Sequence, residues 1–224
     1  MDVPVVVNGE ELRGESIDRV NPSATERVVA RMSCATGAHA ERAVQTAVNA
    51  FGGWRDRDMA ERAKLLDRLG ELLERDRFEI AALQTLEVGK PWAEADADVA
   101  EAIDFCHYYA RQAMAELAPR PMGNVAGEDN RLFYEGRGPT VVIAPWNFPT
   151  AILCGMSVAA LVSGNPVIMK PAEQSSAIAY TLYQRMREAG IPDDVVQFLP
   201  GIGEEIGPVL VEHPEVAQVA FTGS

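Results

Sequence analysis

Three side chains in this sequence, Asn147, Lys170 and Glu173, place hydrogen-bonding and charged groups just past the ends of apolar runs. Asn147, within Pro145-Trp146-Asn147-Phe148-Pro149, carries an amide that can donate two hydrogen bonds from a turn stiffened by two prolines. Lys170 and Glu173, within Lys170-Pro171-Ala172-Glu173, place a cation and a carboxylate at the end of an apolar run. An ammonium at that position is costly to bury unless it reaches water or an anion. Each residue also has a plainer reading, Asn147 as a turn former and Lys170 as a lysine that snorkels past apolar neighbours to solvent.

Both groups follow short apolar runs, Val141 to Ala144 and Val167 to Met169, and between the runs Thr150 to Val162 is small or apolar nearly all round. Short apolar runs stopped by proline suit strands buried on both faces, and an all-round apolar segment between them suits a crossover helix packed inside. The stretch therefore predicts a βαβ unit. In an open parallel sheet ligands bind beyond the carboxyl ends of the strands, which is where Asn147 and Lys170 to Glu173 fall.

The flanking chain supplies the rest of such a domain. Val3 to Val7 with Asn8-Gly9 predicts a strand and tight turn, and Val20-Asn21-Pro22 with Arg27 to Arg31 a second strand or hairpin arm. Helical spacing from Ala40 to Phe51 is expected to end at Gly52-Gly53, and Asp58 with Glu61 resembles a capping box before a helix whose face is Leu65, Leu66, Leu69, Leu72 and Leu73. Helices are also expected over Ile80 to Glu87, Ala93 to Leu117 and Ile178 to Ala189, the acidic start of the second (Glu94, Asp96, Asp98, Glu101) reading as a solvated face matched to the helix dipole. Arg131 to Arg137 alternates like a strand leaving the main sheet. Val195 to Leu199 and Val216 to Phe221 read as two further strands. Gly201-Ile202-Gly203-Glu204-Glu205-Ile206-Gly207, after the first of these, has three residues rather than two between its second and third glycines, a near miss to the dinucleotide fingerprint in the right context.

With 224 residues and 47% apolar content the chain can bury a sizeable core. A net charge of -13 disfavours nucleic acid and anionic membranes as partners. No run approaches the ~20 apolar residues of a membrane span, and the amino terminus lacks the features of a secretory signal, so a soluble cytoplasmic protein is the expectation. Cys34, Cys106 and Cys154 form no C-x-x-C pair, and His39, His107 and His213 stand alone, so no metal site is expected.

Taken together, Pro145-Trp146-Asn147-Phe148-Pro149, then Gly164-Asn165 leading to Lys170-Pro171-Ala172-Glu173-Gln174-Ser175, then Phe221-Thr222-Gly223-Ser224, resemble the aldehyde dehydrogenase superfamily in order and approximate spacing. The resemblance implies a Rossmann-like α/β fold with a parallel sheet. It further implies an incomplete NAD-binding domain over residues 1–118 and 138–224, an oligomerisation arm over 119–137 that pairs with another subunit, and a catalytic domain outside this chain. It makes Asn147 the oxyanion-stabilising amide, and Lys170 and Glu173 the holders of the adenosine ribose, with Ala172 between them. Ala144, Pro145 and Trp146 become the wall beside the nicotinamide, Gly203 the glycine near the adenine, and Phe221, Thr222, Gly223 and Ser224 the start of a phosphate-proximal turn. A carboxylate at 173 implies NAD over NADP.

Lys90 to Asp98 (Lys90-Pro91-Trp92-Ala93-Glu94-Ala95-Asp96-Ala97-Asp98), Glu101 to Phe105, Tyr108 to Gln112 and Asn130 to Tyr134 are similar to bacterial 1-pyrroline-5-carboxylate dehydrogenases, implying L-glutamate γ-semialdehyde as the small-molecule substrate and a homo-oligomer at full length. A general or succinate-semialdehyde-type enzyme, or a non-catalytic NAD-binding module, is the alternative. None of the three cysteines lies where the family's nucleophile should be and no segment matches its general-base glutamate. The chain alone is expected not to oxidise aldehydes.

Overall fold

The computed structural model describes residues 1–223, and Ser224 lies outside the described residues. In chain order the strands and helices begin with β1 (Asp2–Val3), β2 (Val5–Val7), β3 (Glu10–Leu12), β4 (Ser16–Asn21) and β5 (Ala24–Ser33). Four helices follow, α1 (Gly37–Asp56), α2 (Met59–Arg75), α3 (Arg77–Val88) and α4 (Trp92–Gln112). The remainder comprises β6 (Arg120–Pro121), β7 (Arg131–Leu132), β8 (Thr140–Ile143), α5 (Ala151–Val162), β9 (Val167–Lys170), α6 (Ser176–Ala189), β10 (Val196–Phe198), α7 (Gly203–Val211) and β11 (Gln218–Phe221).

The predicted βαβ unit is β8–α5–β9, at the middle of a six-stranded sheet of order β11-β8-β9-β10-β2-β3. The first four strands run parallel, and β2 and β3 close the far side antiparallel. Alternation along the strands sends side chains to both faces. Val6, Val142, Met169 and Phe198 join a core with residues of α2 through α6, whereas Val5, Val7, Val141, Ile168 and Leu199 pack with Ala40 and Val44 of α1 and Ile206 and Leu210 of α7. A sheet covered on both faces needs near-continuous apolar strands, which is why the runs read as they did. β11 is the exception, an edge strand with Val219 40% and Phe221 59% exposed.

Several local expectations are met. Asn8 and Gly9 both adopt positive φ, 53° and 74°, in the two-residue turn between β2 and β3. Leu66, Leu69 and Leu73 of α2 are fully buried, with Leu65 and Leu72 packed against the same core.

Others are corrected. Helix α1 runs through Gly52-Gly53 to Asp56 because Trp54, 3% exposed, anchors the last turn, its indole N–H donating to the Leu161 carbonyl at 3.0 Å. The capping box belongs to Thr36 and His39 at the start of α1, while Asp58 caps α2 through the Ala60 amide alone. The long helix expected to Leu117 is α4 followed by a π turn over Ala113–Leu117. Between Arg120 and Leu132 the chain forms only a two-residue antiparallel ladder, and residues 133–137 add no strand.

Candidate functional site

The strand ends are level. Ile143 of β8 pairs with Lys170 of β9 on one side and with Phe221 of β11 on the other, so the segments leaving all three strands emerge from one rim of the sheet. From β8 the chain steps through α5 to β9 and through α6 to β10, then returns by α7 to β11 on the opposite flank of β8. This is the order of a doubly wound sheet, and β8 is its topological switch point.

At the end of β9, Lys170 is 4% exposed and its Nζ stands 3.8 Å from Glu173 Oε2, an ion pair beyond hydrogen-bond reach. Burial depresses the ammonium's pKa, with the charges of Glu173 and Glu204 pulling the other way. Gly203, at the first turn of α7, faces the same ammonium, since a Cβ there would lie 3.4 Å from Nζ. The three glycines of the near-miss fingerprint therefore do different jobs. Gly201 backs onto the Ala35 backbone, where a Cβ would come within 3.2 Å of the amide nitrogen, Gly203 leaves room beside Lys170, and Gly207 has open space around it.

One strand over, Trp146, Asn147 and Phe148 form an exposed turn between β8 and α5, while Ala144 is buried. The backbone of that turn is tied down from below. Lys90 Nζ donates to the Asn147 carbonyl at 2.7 Å and lies 3.9 Å over the Phe148 ring. Asp98 accepts the amides of Thr150 at 3.1 Å and Ala151 at 3.3 Å, and its Oδ1 is 3.9 Å from Lys90 Nζ. Gln84 donates to the Thr150 hydroxyl at 2.8 Å. Burial pushes the Asp98 carboxyl above its usual range, opposed by Lys90 and the two amides. The expectation that the acidic start of this helix is solvated fails at Asp98, which is 1% exposed, and holds for Glu94 and Glu101.

The two clusters share the rim without lining one cavity. A hollow of about 410 Å³ opens against Asn147 and is bounded by Val88, Gly89, Lys90, Pro91, Glu94, Trp146 and Phe148. A second cavity, about 650 Å³, runs along α5 and β11 past Ile152, Met156 and Ala220. Of the sequence-derived site residues it touches only Thr222, whose hydroxyl lies 3.5 Å from the Met156 sulfur. Thr222 also continues the β11–β8 ladder through its amide to the Ile143 carbonyl, 3.1 Å, and Thr222 and Gly223 are exposed. Ala172 and Glu173 are half-buried between β9 and α6. Ser224 falls outside the described residues.

A family model described as the aldehyde dehydrogenase family matches residues 8–224. The chain belongs to the aldehyde dehydrogenase family. Among relatives of this family it is 48% identical over 225 residues to 1-pyrroline-5-carboxylate dehydrogenase 2 of Bacillus subtilis, a match covering all of this chain and 44% of that protein. Among solved structures it superposes on a Thermus 1-pyrroline-5-carboxylate dehydrogenase with bound NAD, with TM-score 0.96 and 45% identity, covering all of this chain and 44% of that one. Proline utilization A from Bdellovibrio bacteriovorus gives TM-score 0.97 and 49% identity, with 24% of that longer chain covered. The chain thus spans less than half the length of the curated relatives it matches. Its parallel sheet and flanking helices are the aldehyde dehydrogenase fold.

Within this family frame, sequence reasoning missed the supports under the rim. Gln84, Glu87, Lys90 and Asp98 come from the α3–α4 hairpin, and each holds a segment that follows one of the two site strands. Glu87 accepts the amides of Ala177 at 2.8 Å and Ile178 at 2.9 Å at the start of α6, just after Glu173. The one available signal was a polar residue at the buried helical positions 84, 87 and 98 between apolar neighbours.

No helix among the described residues is long and apolar enough to cross a membrane.

Proposed function

We propose that this chain is the nucleotide-binding part of an NAD-dependent dehydrogenase that oxidises an aldehyde to a carboxylate, with L-glutamate γ-semialdehyde as the aldehyde. The observation that carries the reading is the buried Lys170 ammonium, held 3.8 Å from Glu173 and facing the bare backbone of Gly203, one strand from an exposed asparagine turn.

The residues fit a bound dinucleotide. Lys170 has donors left over from a loose ion pair, Glu173 has acceptors, and Gly203 leaves space that a side chain would fill, a set that matches a pair of vicinal hydroxyls. When bound, NAD supplies the hydride acceptor. Lys170 and Glu173 orient the adenosine ribose, and the carboxylate of Glu173 repels a 2′-phosphate. Trp146 and the Ala144–Pro145 backbone wall the space beside Asn147, and the Asn147 amide donates to the oxygen of the attacked carbonyl as negative charge grows on it.

The sulfur nucleophile is not drawn from this chain. Cys106 and Cys154 are fully buried with sulfurs 3.6 Å apart, and the Cys154 thiol is held well above its usual range by Cys106 and by burial. Cys34 is half-buried, its thiol raised by burial and by Glu15 and Glu205, and no cysteine bounds the hollow against Asn147. The segment 119–137, with Phe133 58% and Tyr134 56% exposed, is proposed to seat against a second copy.

The test is a chimera in which this chain is joined to the portion of the Bacillus subtilis enzyme that follows the matched segment. Reduction of NAD on addition of L-glutamate γ-semialdehyde, absent for the 224-residue chain alone, is the expected result. A folded chimera that binds NAD but leaves the semialdehyde untouched overturns the substrate assignment, and one that does not bind NAD overturns the whole reading.

A further inference from the structure

The hollow beside Asn147 is bounded by a buried cation whose hydrogen bond goes to the turn itself. The Lys90 side chain is 6% exposed, and its ammonium is already shared between the Asn147 carbonyl at 2.7 Å, the Phe148 ring at 3.9 Å and Asp98 at 3.9 Å. Its own backbone is fixed too. Gly89 ends α3 with φ of 70°, and the Thr85 hydroxyl donates to the Lys90 carbonyl at 2.9 Å. Asp98, by contrast, takes the amides of Thr150 and Ala151, three and four residues further along the turn. The load is thus divided. Lys90 grips the half of the turn that bears the asparagine, and Asp98 grips the half that starts α5.

We propose that Lys90 is a positioning residue for Asn147, fixing the peptide from which the oxyanion-directed amide projects, a role that rests on the proposed function of that amide. A donor aimed at a developing charge is useful only when its direction is settled before the reaction, and among the described residues Lys90 is the side chain that bonds the Asn147 peptide itself, whereas Asp98 and Gln84 hold Thr150 and Ala151. The competing explanation is that Lys90 merely neutralises a buried carboxylate, since breaking one half of a buried ion pair destabilises while removing both charges together is often neutral.

Three variants separate these roles in the 224-residue chain: Lys90→Met, Asp98→Asn and the double variant K90M/D98N, which carries no unbalanced charge. The backbone amide ¹⁵N order parameter of Asn147 is the readout, with thermal melting recorded alongside. We expect D98N to keep Asn147 ordered as in the parent, and K90M and the double variant both to drop its order parameter from the rigid range near 0.85 to below about 0.6. Should K90M alone fail to fold, the double variant decides. A double variant in which Asn147 is as ordered as in the parent overturns the proposal, as does a D98N variant that loosens Asn147 as much as the double. None of these readouts depends on NAD or on turnover, so an inactive chimera would sink the proposed function and leave this comparison standing.

Discussion

Lys170 and Gly203 meet across the rim of the sheet, the lysine ammonium 3.4 Å from the place a Cβ on the glycine would occupy. An alanine would just touch the ammonium and a branched side chain would fill the gap between α7 and β9. Gly203→Val is therefore expected to weaken NAD binding by at least about tenfold, equivalent to ~1.4 kcal/mol, while leaving the melting temperature within a few degrees of the parent. Calorimetric titration of NAD into parent and variant chains checks this. Equal affinities would remove Gly203 from the nucleotide site.

Glu173 lies on the same group, and in the proposed nucleotide site its carboxylate is the charge that would select the dinucleotide. Its carboxylate is about one-quarter exposed and stands 3.8 Å from Lys170, close enough to share hydroxyl partners. A fixed negative charge penalises a 2′-phosphate more than a hydroxyl. Glu173→Gln should raise the ratio of NADP to NAD affinity by roughly tenfold or more, mainly by improving NADP binding, because repulsion is removed while an acceptor remains. Paired titrations with the two dinucleotides give the ratio directly, and an unchanged ratio would place the discrimination elsewhere.

Asn147 is the one side chain whose loss should affect chemistry without affecting nucleotide binding. Removing a single oxyanion donor costs about 3 kcal/mol of transition-state stabilisation. In the chimera described above, Asn147→Ala is expected to lower kcat by a few hundredfold with the affinity for NAD held within about twofold. Since the side chain is exposed and its backbone carbonyl still receives Lys90, the variant should melt like the parent. A large rise in KM for NAD with kcat preserved would reassign Asn147 to cofactor binding.

How much of this was readable beforehand follows from where the constraints lie. The turn around Asn147 and the Lys170–Glu173 segment were legible because prolines bracket strands whose burial demands apolar runs, and both signals are local. Trp54 illustrates the opposite case. Its neighbours Gly52 and Gly53 argue for a helix end, but a hydrogen bond to Leu161, 107 residues away, carries the helix on. Asp98 reads as one more acid on a solvated helix face until the start of α5 is packed over it, and nothing local to Lys90 announces the Asn147 carbonyl 57 residues away. The expected strand Arg131 to Arg137 pairs within this chain only over Arg131–Leu132, against Arg120–Pro121 of β6. The grouping of Lys170 with Gly203 could be guessed from the family resemblance, but its distances depend on the register of β9 against β10 and on the entry of α7.

Glu87 gives the chain a predictable response to pH. The carboxyl sits under the start of α6, where it accepts two backbone amides and a 3.4 Å bond from the Ser176 hydroxyl, and Arg19 contributes a favourable charge. Burial outweighs these and pushes its pKa from 4.5 up to about 7. The folded state therefore holds a proton that the unfolded state releases. The resulting contribution to stability is fully present below about pH 4.5 and is lost as pH rises through about 7, an effect on the order of 3 kcal/mol. Other carboxylates act in the opposite sense, Asp76 for instance being held down to about 2 by Arg75 and Arg185. The Glu87 contribution is accordingly isolated as the difference between parent and Glu87→Gln. In urea titrations at pH 5, 6, 7 and 8, the parent should lose stability relative to E87Q across this range. Because α6 begins just beyond Glu173, NAD affinity of the parent should also weaken relative to E87Q toward pH 8. A difference in stability that stays flat from pH 5 to 8 would mean that the Glu87 carboxyl is ionised throughout and acts only as an amide acceptor.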